Sequence, residues 1–121
     1  MARTADNTGL KLNIALNYGG RQETVFAAKR LMEMAVSGEM KPEELDDKAF
    51  SDCLYTRGLP DVDLFIRTSG EMRTSNFLPW QMAYAEMVFN PVLWPDYTRQ
   101  VFLEDLWIYA SRDRRFGKVK S

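Results

Sequence analysis

The sequence contains no histidine and only one cysteine, Cys53. Without histidine the chain cannot form a Ser-His-Asp or Cys-His catalytic group, nor a zinc site that uses histidine ligands. A single cysteine cannot form a disulfide within the chain, which fits a reducing compartment such as the cytoplasm. Any chemistry of this chain must therefore use carboxylates, arginines, hydroxyl groups, backbone amides or a hard metal ion.

Long apolar runs and an excess of charge of one sign are absent as well. No run approaches the roughly 20 apolar residues of a membrane-spanning helix, and residues 1–13 lack the apolar core of a signal peptide. The 16 Lys and Arg against 17 Asp and Glu give a formal net charge of −1, which argues against a nucleic-acid partner. We therefore expect one small cytoplasmic domain that meets a membrane only through a lipid it handles, with any anion site confined to a few residues.

The pattern of apolar residues predicts an α/β fold with parallel strands. Alternating apolar side chains indicate strands, and apolar residues three and four apart indicate helices. Val25, Ala28, Met32 and Ala35 have the second spacing and are expected to form the apolar face of the first helix. The predicted elements are strands at 10–17, 62–67 and 87–89, helices at 21–36 and 98–115, and short helices near 42–44 and 47–54. A strand, a helical crossover and a second strand are typical of a parallel βαβ unit. The last helix has a wide apolar face, which we expect to be exposed in this chain alone.

The polar segment RTSGEMRTSNF (67–77), called here the 67–77 loop, is the strongest candidate for a binding site. It follows a predicted parallel strand, and ligands of parallel α/β sheets bind at the carboxyl ends of strands. Its guanidiniums, Arg67 and Arg73, together with several hydroxyl groups, suit a phosphate or diphosphate. The alternative is an ordinary polar loop whose arginines pair with Glu71 or Asp63, and the residues alone leave both interpretations open.

Two further features have a structural and a functional interpretation. The turn NYGGR (17–21) opens a predicted helix and could present N–H groups to an anion, although two glycines after a strand are more often a tight turn. Glu86 lies among apolar residues and either pairs with an arginine or holds a cation such as Mg²⁺. For both features the residues alone favour the structural interpretation.

Four segments together resemble the cis-prenyltransferases of the undecaprenyl diphosphate synthase type. They are NTGLKLNIALNYGGR (7–21), DLFIRTSGEMRTSNFLPWQMAYAE (63–86), VLWPD (92–96) and RRFG (114–117). The resemblance implies a parallel α/β cis-prenyltransferase fold, of which this chain is the C-terminal portion. It also implies condensation of isopentenyl diphosphate onto an allylic diphosphate, commonly farnesyl diphosphate. The product is a long Z-polyprenyl diphosphate, which in bacteria becomes the lipid carrier of cell-wall synthesis.

The same resemblance assigns substrate-binding roles to residues of the 67–77 loop. By position, Arg67, Arg73 and Ser75 hold the diphosphate of isopentenyl diphosphate, and Glu71 supports that site. These roles follow from the match to the family and not from the spacing of the residues.

The resemblance also implies a cofactor and a second subunit. Glu86 becomes a ligand of Mg²⁺, which reverses the structural preference stated above. Arg115 and Gly117 match an Arg-x-Gly element that reaches the substrate of the partner subunit in a homodimer. Leu10 and Leu12 lie on a strand that borders the product tunnel.

The family's N-terminal half has no counterpart in residues 1–121. That half carries a DGNGRWA-type motif, whose aspartate binds the metal and the allylic diphosphate, and no such motif occurs here. Some relatives also have histidine where this chain has Met72. We therefore expect 1–121 to be the C-terminal half of one domain, inactive alone and dependent on its N-terminal half.

Two other interpretations compete with this one. The chain could be a non-catalytic subunit of a heteromeric prenyltransferase that donates its Arg-x-Gly element to an active partner. Such subunits usually lose parts of the loop, whereas Arg67, Arg73, Ser75 and Glu86 are all present here. It could also be an unrelated phosphate-binding module, which the breadth of the match disfavours.

Overall fold

The computed structural model describes residue 4 and residues 6–112. The helices and strands are α1 (Gly20–Ser37), α2 (Asp47–Ser51), β1 (Leu64–Arg67), β2 (Glu86–Phe89) and α3 (Arg99–Ala110), with short 3-10 helices at Pro42–Glu44 and Trp94–Asp96. No helix in this part of the chain combines the length and the apolar character that crossing a bilayer requires.

Helix α1 confirms the predicted helix at 21–36 and extends it by one residue at each end. Its buried face includes Glu23, Ala27 and Leu31, spaced four residues apart. The helix ends at Gly38, whose φ of 79° is the left-handed conformation that glycine adopts readily. Ala27 and Leu31 join a core cluster formed with residues 53–54, so α1 packs against the segment that follows α2.

The parallel sheet agrees with the predicted α/β fold class, but the predicted βαβ unit is absent from the described residues, since its first strand, 10–17, does not form. Strands β1 and β2 pair in parallel, with Leu64 opposite Glu86 and Arg67 opposite Phe89. The connection between them, residues 68–85, consists of turns rather than a helix. Because β1 ends at Arg67, the 67–77 loop leaves the sheet at the carboxyl end of a strand, as expected.

The predicted strand at 10–17 was wrong for this structure. The described sheet contains only β1 and β2, and the apolar side chains of this segment lie in solvent, with Leu10 92% and Leu16 84% exposed. A strand is stable only when neighbouring strands satisfy its backbone and a core covers one face. Neither is available to residues 10–17 in the described part of this chain.

Helix α3 is shorter than predicted, ending at Ala110 instead of residue 115. Its N-cap residue is Thr98, whose side chain accepts a hydrogen bond from the Val101 N–H at 3.4 Å. It ends in a tight turn in which the Ser111 hydroxyl donates to the Ile108 carbonyl at 2.8 Å. Its apolar face is exposed as expected, with Trp107 73% exposed.

Candidate functional site

The first residues of the 67–77 loop are fixed against the segment that follows β2. The Asn90 N–H donates to the Arg67 carbonyl at 2.7 Å. In return, the Ser69 N–H donates to the Val92 carbonyl at 2.8 Å and the Gly70 N–H to the Asn90 carbonyl at 3.0 Å. The loop therefore starts from a defined position at the edge of the sheet.

A buried carboxylate on α3 holds that neighbouring segment in place. Asp105 is 1% exposed, and it accepts hydrogen bonds from the Asn90 side chain at 2.9 Å and the Tyr97 hydroxyl at 2.6 Å. The Asn90 side chain also accepts from the Val92 N–H at 3.0 Å. Burial, and then the hydrogen bond to Asp105, raise the pKa of Tyr97 above its ordinary range. The position of the loop thus depends on α3 as well as on the sheet.

Arg67 lies at the carboxyl end of β1 and is half-buried. Among the described residues it forms no ion pair, since the pairs found there involve Lys48, Arg73 and Arg112. It lines an open cleft of about 340 Å³ whose wall includes Trp94. A partly desolvated guanidinium that no carboxylate neutralises is suited to binding an anionic ligand.

Arg73 and Glu71 form an ion pair with each other. Both side chains are solvent-exposed, at 64% and 39%, and exposed pairs contribute only about 0–1 kcal/mol to stability. The pairing is the one that the structural interpretation of the loop predicted. The pair therefore contributes little to the stability of the loop, and the Arg73 side chain stays largely accessible to solvent.

The loop contains several residues other than glycine with positive φ. They are Ser69 (φ 68°), Ser75 (φ 49°) and Asn76 (φ 63°), and Leu78 (φ 46°) follows directly after the loop. Each such residue costs on the order of 1 kcal/mol and persists only where the surrounding structure holds it. The surrounding structure therefore holds the loop in one defined conformation.

The turn at 17–21 is occupied by the end of the loop. The Gly20 N–H donates to the Asn76 carbonyl at 2.7 Å, and the Arg21 N–H donates to the Asn76 side-chain oxygen at 2.8 Å. These two N–H groups are therefore not offered to an external anion. The interpretation of residues 17–21 as a structural turn is confirmed.

A second buried carboxylate, Glu23, joins α1 to the segments on either side of β1. It is 1% exposed and accepts hydrogen bonds from the Tyr18 hydroxyl, the Tyr55 N–H at 2.7 Å and the Gln81 side-chain amide at 3.1 Å. Burial, followed by the bond to Glu23, raises the pKa of Tyr18 above its ordinary range. Glu23 was not predicted, because the apolar face expected for this helix was wrong: Val25, Ala28, Met32 and Ala35 are exposed, and Glu23, Ala27 and Leu31 are buried instead.

Glu86 opens β2 and is ion-paired with Arg112, at 3.0 Å. The Arg112 guanidinium also donates to the Met87 carbonyl at 2.7 Å. Within the described residues no group of three His, Cys, Asp or Glu side chains could hold a metal. Mg²⁺ commonly takes one or two carboxylates and completes its shell with substrate phosphates and water. The pair with Arg112 is the structural alternative stated for Glu86. As a single Mg²⁺ ligand Glu86 would exchange Arg112 for the metal, with the other ligands supplied by substrate phosphates and water, and this role stays a prediction.

Two further pairs of predicted residues lie near the two ends of the chain. Arg115 and Gly117 lie outside the described residues. Leu10 and Leu12 are exposed in the irregular segment before α1. The described candidate site is therefore the loop itself, and the roles expected of the other four residues stay predictions.

Comparison with known proteins gives one consistent family. The family described as putative undecaprenyl diphosphate synthase matches residues 1–117. The chain is 52% identical over 120 residues to an isoprenyl transferase of Heliobacterium mobile, covering 99% of this chain and 46% of the relative. It is 48% identical over 114 residues to the (2E,6E)-farnesyl-diphosphate-specific ditrans,polycis-undecaprenyl-diphosphate synthase of Vibrio cholerae, covering 94% of this chain and 46% of that protein.

A solved structure supports the same assignment. The lavandulyl diphosphate synthase of Lavandula x intermedia, in complex with dimethylallyl diphosphate, superposes with a TM-score of 0.82 at 38% identity. The match covers 86% of this chain and 45% of the lavandulyl diphosphate synthase chain. The chain thus spans about half the length of the proteins it matches.

Proposed function

The chain belongs to the undecaprenyl diphosphate synthase family, and on that premise we propose that it is the C-terminal half of a cis-prenyltransferase. The complete enzyme condenses isopentenyl diphosphate onto an allylic diphosphate. The name of the Vibrio cholerae relative supports farnesyl diphosphate as the allylic substrate and an undecaprenyl-type product. Such a product would serve as a lipid carrier for the cell wall, made by a cytoplasmic enzyme that meets the membrane only through this lipid.

The observation that supports the proposal most directly is the burial of Arg67 without an ion-pair partner among the described residues. Arg67 stands half-buried at the carboxyl end of a parallel strand, and no carboxylate of the described residues pairs with it. Arg73 lies in the same loop in an exposed, exchangeable pair with Glu71. We propose that these two arginines and Ser75 bind the diphosphate of isopentenyl diphosphate, and that Glu71 releases Arg73 when the substrate arrives.

The chemistry of these residues is electrostatic and positional. As the allylic C–O bond breaks, negative charge grows on the leaving diphosphate, and fixed cationic groups lower the energy of that transition state. Arginines that hold the diphosphate of isopentenyl diphosphate orient its double bond for attack on the allylic carbon. Glu86 would hold Mg²⁺, which when bound neutralises diphosphate charge.

We propose that the family's N-terminal half covers the exposed apolar surface of this chain. Leu10, Leu12 and Ile14 before α1 and Trp107 on α3 are 92%, 76%, 67% and 73% exposed. Surface of this kind marks a contact with another segment or chain. The relatives are about twice as long as the matched region, which makes their N-terminal half the natural cover. A homodimer in which Arg115 and Gly117 reach the partner's substrate completes the proposal.

Incorporation of labelled isopentenyl diphosphate into butanol-extractable product tests the proposal. The reaction contains farnesyl diphosphate and Mg²⁺, with this chain alone or mixed with the N-terminal half of the Heliobacterium mobile isoprenyl transferase. We call this mixture the complemented enzyme. Product is expected only in the complemented enzyme. If neither sample forms product although the N-terminal half is folded, the non-catalytic partner subunit becomes the better account.

A further inference from the structure

The end of the 67–77 loop is fastened to the first turn of α1 by one residue, Asn76. We propose that Asn76 is a positioning residue for isopentenyl diphosphate: it sets the place of Ser75 and Arg73 by holding the loop against α1. The inference rests on the proposed function, because it concerns the same site. Asn76 itself is not proposed to touch the substrate.

Three hydrogen bonds connect Asn76 to three consecutive residues of α1. Its carbonyl oxygen accepts from the Gly20 N–H at 2.7 Å, and its side-chain oxygen accepts from the Arg21 N–H at 2.8 Å. Its side-chain amide donates to the Gln22 side chain at 3.2 Å. The first N–H groups of a helix have no partner within the helix, so Asn76 supplies from a distant loop the cap that α1 otherwise lacks.

The contact is close enough to require glycine on the α1 side. Gly20 is buried, and a Cβ placed there would lie 2.1 Å from Cδ of Pro79 and 3.0 Å from the Asn76 carbonyl oxygen. The Pro79 ring and the backbone of Asn76 therefore both pack directly against the backbone of Gly20. Such an approach fixes the relative position of the two segments.

A tight turn carries the position of Asn76 directly to Ser75. The Phe77 N–H donates to the Thr74 carbonyl at 3.1 Å, which closes a four-residue turn around Ser75 and Asn76. Both central residues have positive φ, 49° and 63°, as in a type I′ turn. Asparagine and aspartate tolerate this conformation better than most residues. Asn76 thus meets two demands at once, the turn conformation and the cap of α1.

Three variants of the complemented enzyme distinguish the role of Asn76 in the turn conformation from its role in capping α1. Asn76→Gly keeps the backbone conformation but removes the side-chain oxygen. Asn76→Asp keeps both the conformation and the oxygen, and its charge is favoured at the start of a helix. Gln22→Ala is the matched control, because it removes only the exposed partner of the Asn76 amide.

We expect Asn76→Gly to raise KM for isopentenyl diphosphate by about tenfold, equivalent to about 1.4 kcal/mol, with KM for farnesyl diphosphate unchanged. For Asn76→Asp and Gln22→Ala, KM for isopentenyl diphosphate should stay within about twofold of its value in the unmodified complemented enzyme. This difference is well below the roughly 1.4 kcal/mol of a tenfold change. A merely structural role would lower the melting temperature and the active fraction without changing KM for one substrate. Unchanged KM in Asn76→Gly, or equal increases in Asn76→Gly and Asn76→Asp, would overturn the inference.

A second readout keeps this test separate from the proposed function. If the unmodified complemented enzyme forms no product, the proposed function fails. The positioning contact is then measured by amide hydrogen exchange of Arg21. Exchange should be faster in Asn76→Gly than in Asn76→Asp, and equal rates in the two variants would show that the side-chain oxygen does not hold the loop.

Discussion

Replacement of Glu23 by alanine should be among the most damaging single changes to this chain. The carboxylate is 1% exposed and accepts hydrogen bonds from Tyr18, Tyr55 and Gln81. These donors come from the turn before α1, from the segment after α2 and from the connection between the strands. Alanine would leave all of them without this acceptor, and two of them, the Tyr55 N–H and the Gln81 amide, are directed inward at the carboxylate.

The magnitude follows from the cost of buried polar groups without partners. Each buried donor that loses its acceptor costs about 1–3 kcal/mol, so Glu23→Ala should lower the free energy of unfolding by about 4 kcal/mol. Glu23→Gln should cost only about 1 kcal/mol, because its carbonyl oxygen can still accept from Tyr55. The Gln81 side-chain oxygen is buried and has no hydrogen-bond partner among the described residues, and it can turn to accept from the new amide.

Urea unfolding of the complemented enzyme, followed by circular dichroism, measures these differences at fixed concentrations of both halves, since association shifts apparent stability. Glu33→Ala is the control, because Glu33 lies on the same helix with its side chain in solvent, and its effect should stay within about 0.5 kcal/mol. If Glu23→Ala and Glu23→Gln differ by less than about 1 kcal/mol, the hydrogen bonds to Glu23 do not carry the stability assigned to them here.

Three further predictions concern the loop, the metal and pH. Gly20→Ala should lower activity of the complemented enzyme by at least about tenfold, because the new Cβ would lie 2.1 Å from Pro79; Gly9→Ala, with nothing within 4 Å, should be neutral. Glu86→Gln should raise the Mg²⁺ concentration for half-maximal activity by about tenfold, and an unchanged Mg²⁺ titration would make Glu86 structural. The raised pKa of Tyr18 contributes stability that is fully present below the ordinary tyrosine value of 10.0 and is lost as pH rises toward the folded-state value. Melting temperature should therefore fall above pH 10.0, and less steeply in Tyr18→Phe; parallel curves for both proteins would contradict this.

Local sequence patterns predicted the extent of α1 and the position of the 67–77 loop, but the predicted apolar face of α1 was wrong, since Val25 and Met32 are 56% and 68% exposed. The apolar spacing along α1 depends on residues that are close in sequence, and the glycine at position 38 ends the helix through its own conformation. The loop could be placed because a polar segment directly follows the short apolar strand β1. Features that a few neighbouring residues determine could therefore be predicted from the sequence.

Features that depend on distant segments were not predicted correctly. Residues 10–17 have the alternation of a strand, but a strand needs neighbours, and the described sheet supplies none to it. Asp105 is the one buried residue of α3, and nothing in its sequence neighbourhood distinguishes it from the exposed Glu104. Its burial depends on Asn90 and Tyr97, which approach from other elements.

Glu23 was missed although a signal existed. It shares the four-residue spacing of Ala27 and Leu31, so a charged residue on an apolar helical face could have been recognised as a buried polar hub. Its donors come from as far as Gln81, 58 positions away, and could not have been named. The substrate-binding roles of Arg67, Arg73 and Ser75, and the metal-binding role of Glu86, remain predictions.

The central claim is that the 67–77 loop binds the diphosphate of isopentenyl diphosphate, and Arg67→Ala tests it most directly. The measurement is KM for isopentenyl diphosphate and the melting temperature of the complemented enzyme, with the exposed Arg99→Ala as the control. We predict that Arg67→Ala raises KM by at least about tenfold, the loss of one charged hydrogen-bonding contact, while the melting temperature stays close to that of the control. An unchanged KM with a lowered melting temperature would make Arg67 a structural residue and contradict the account.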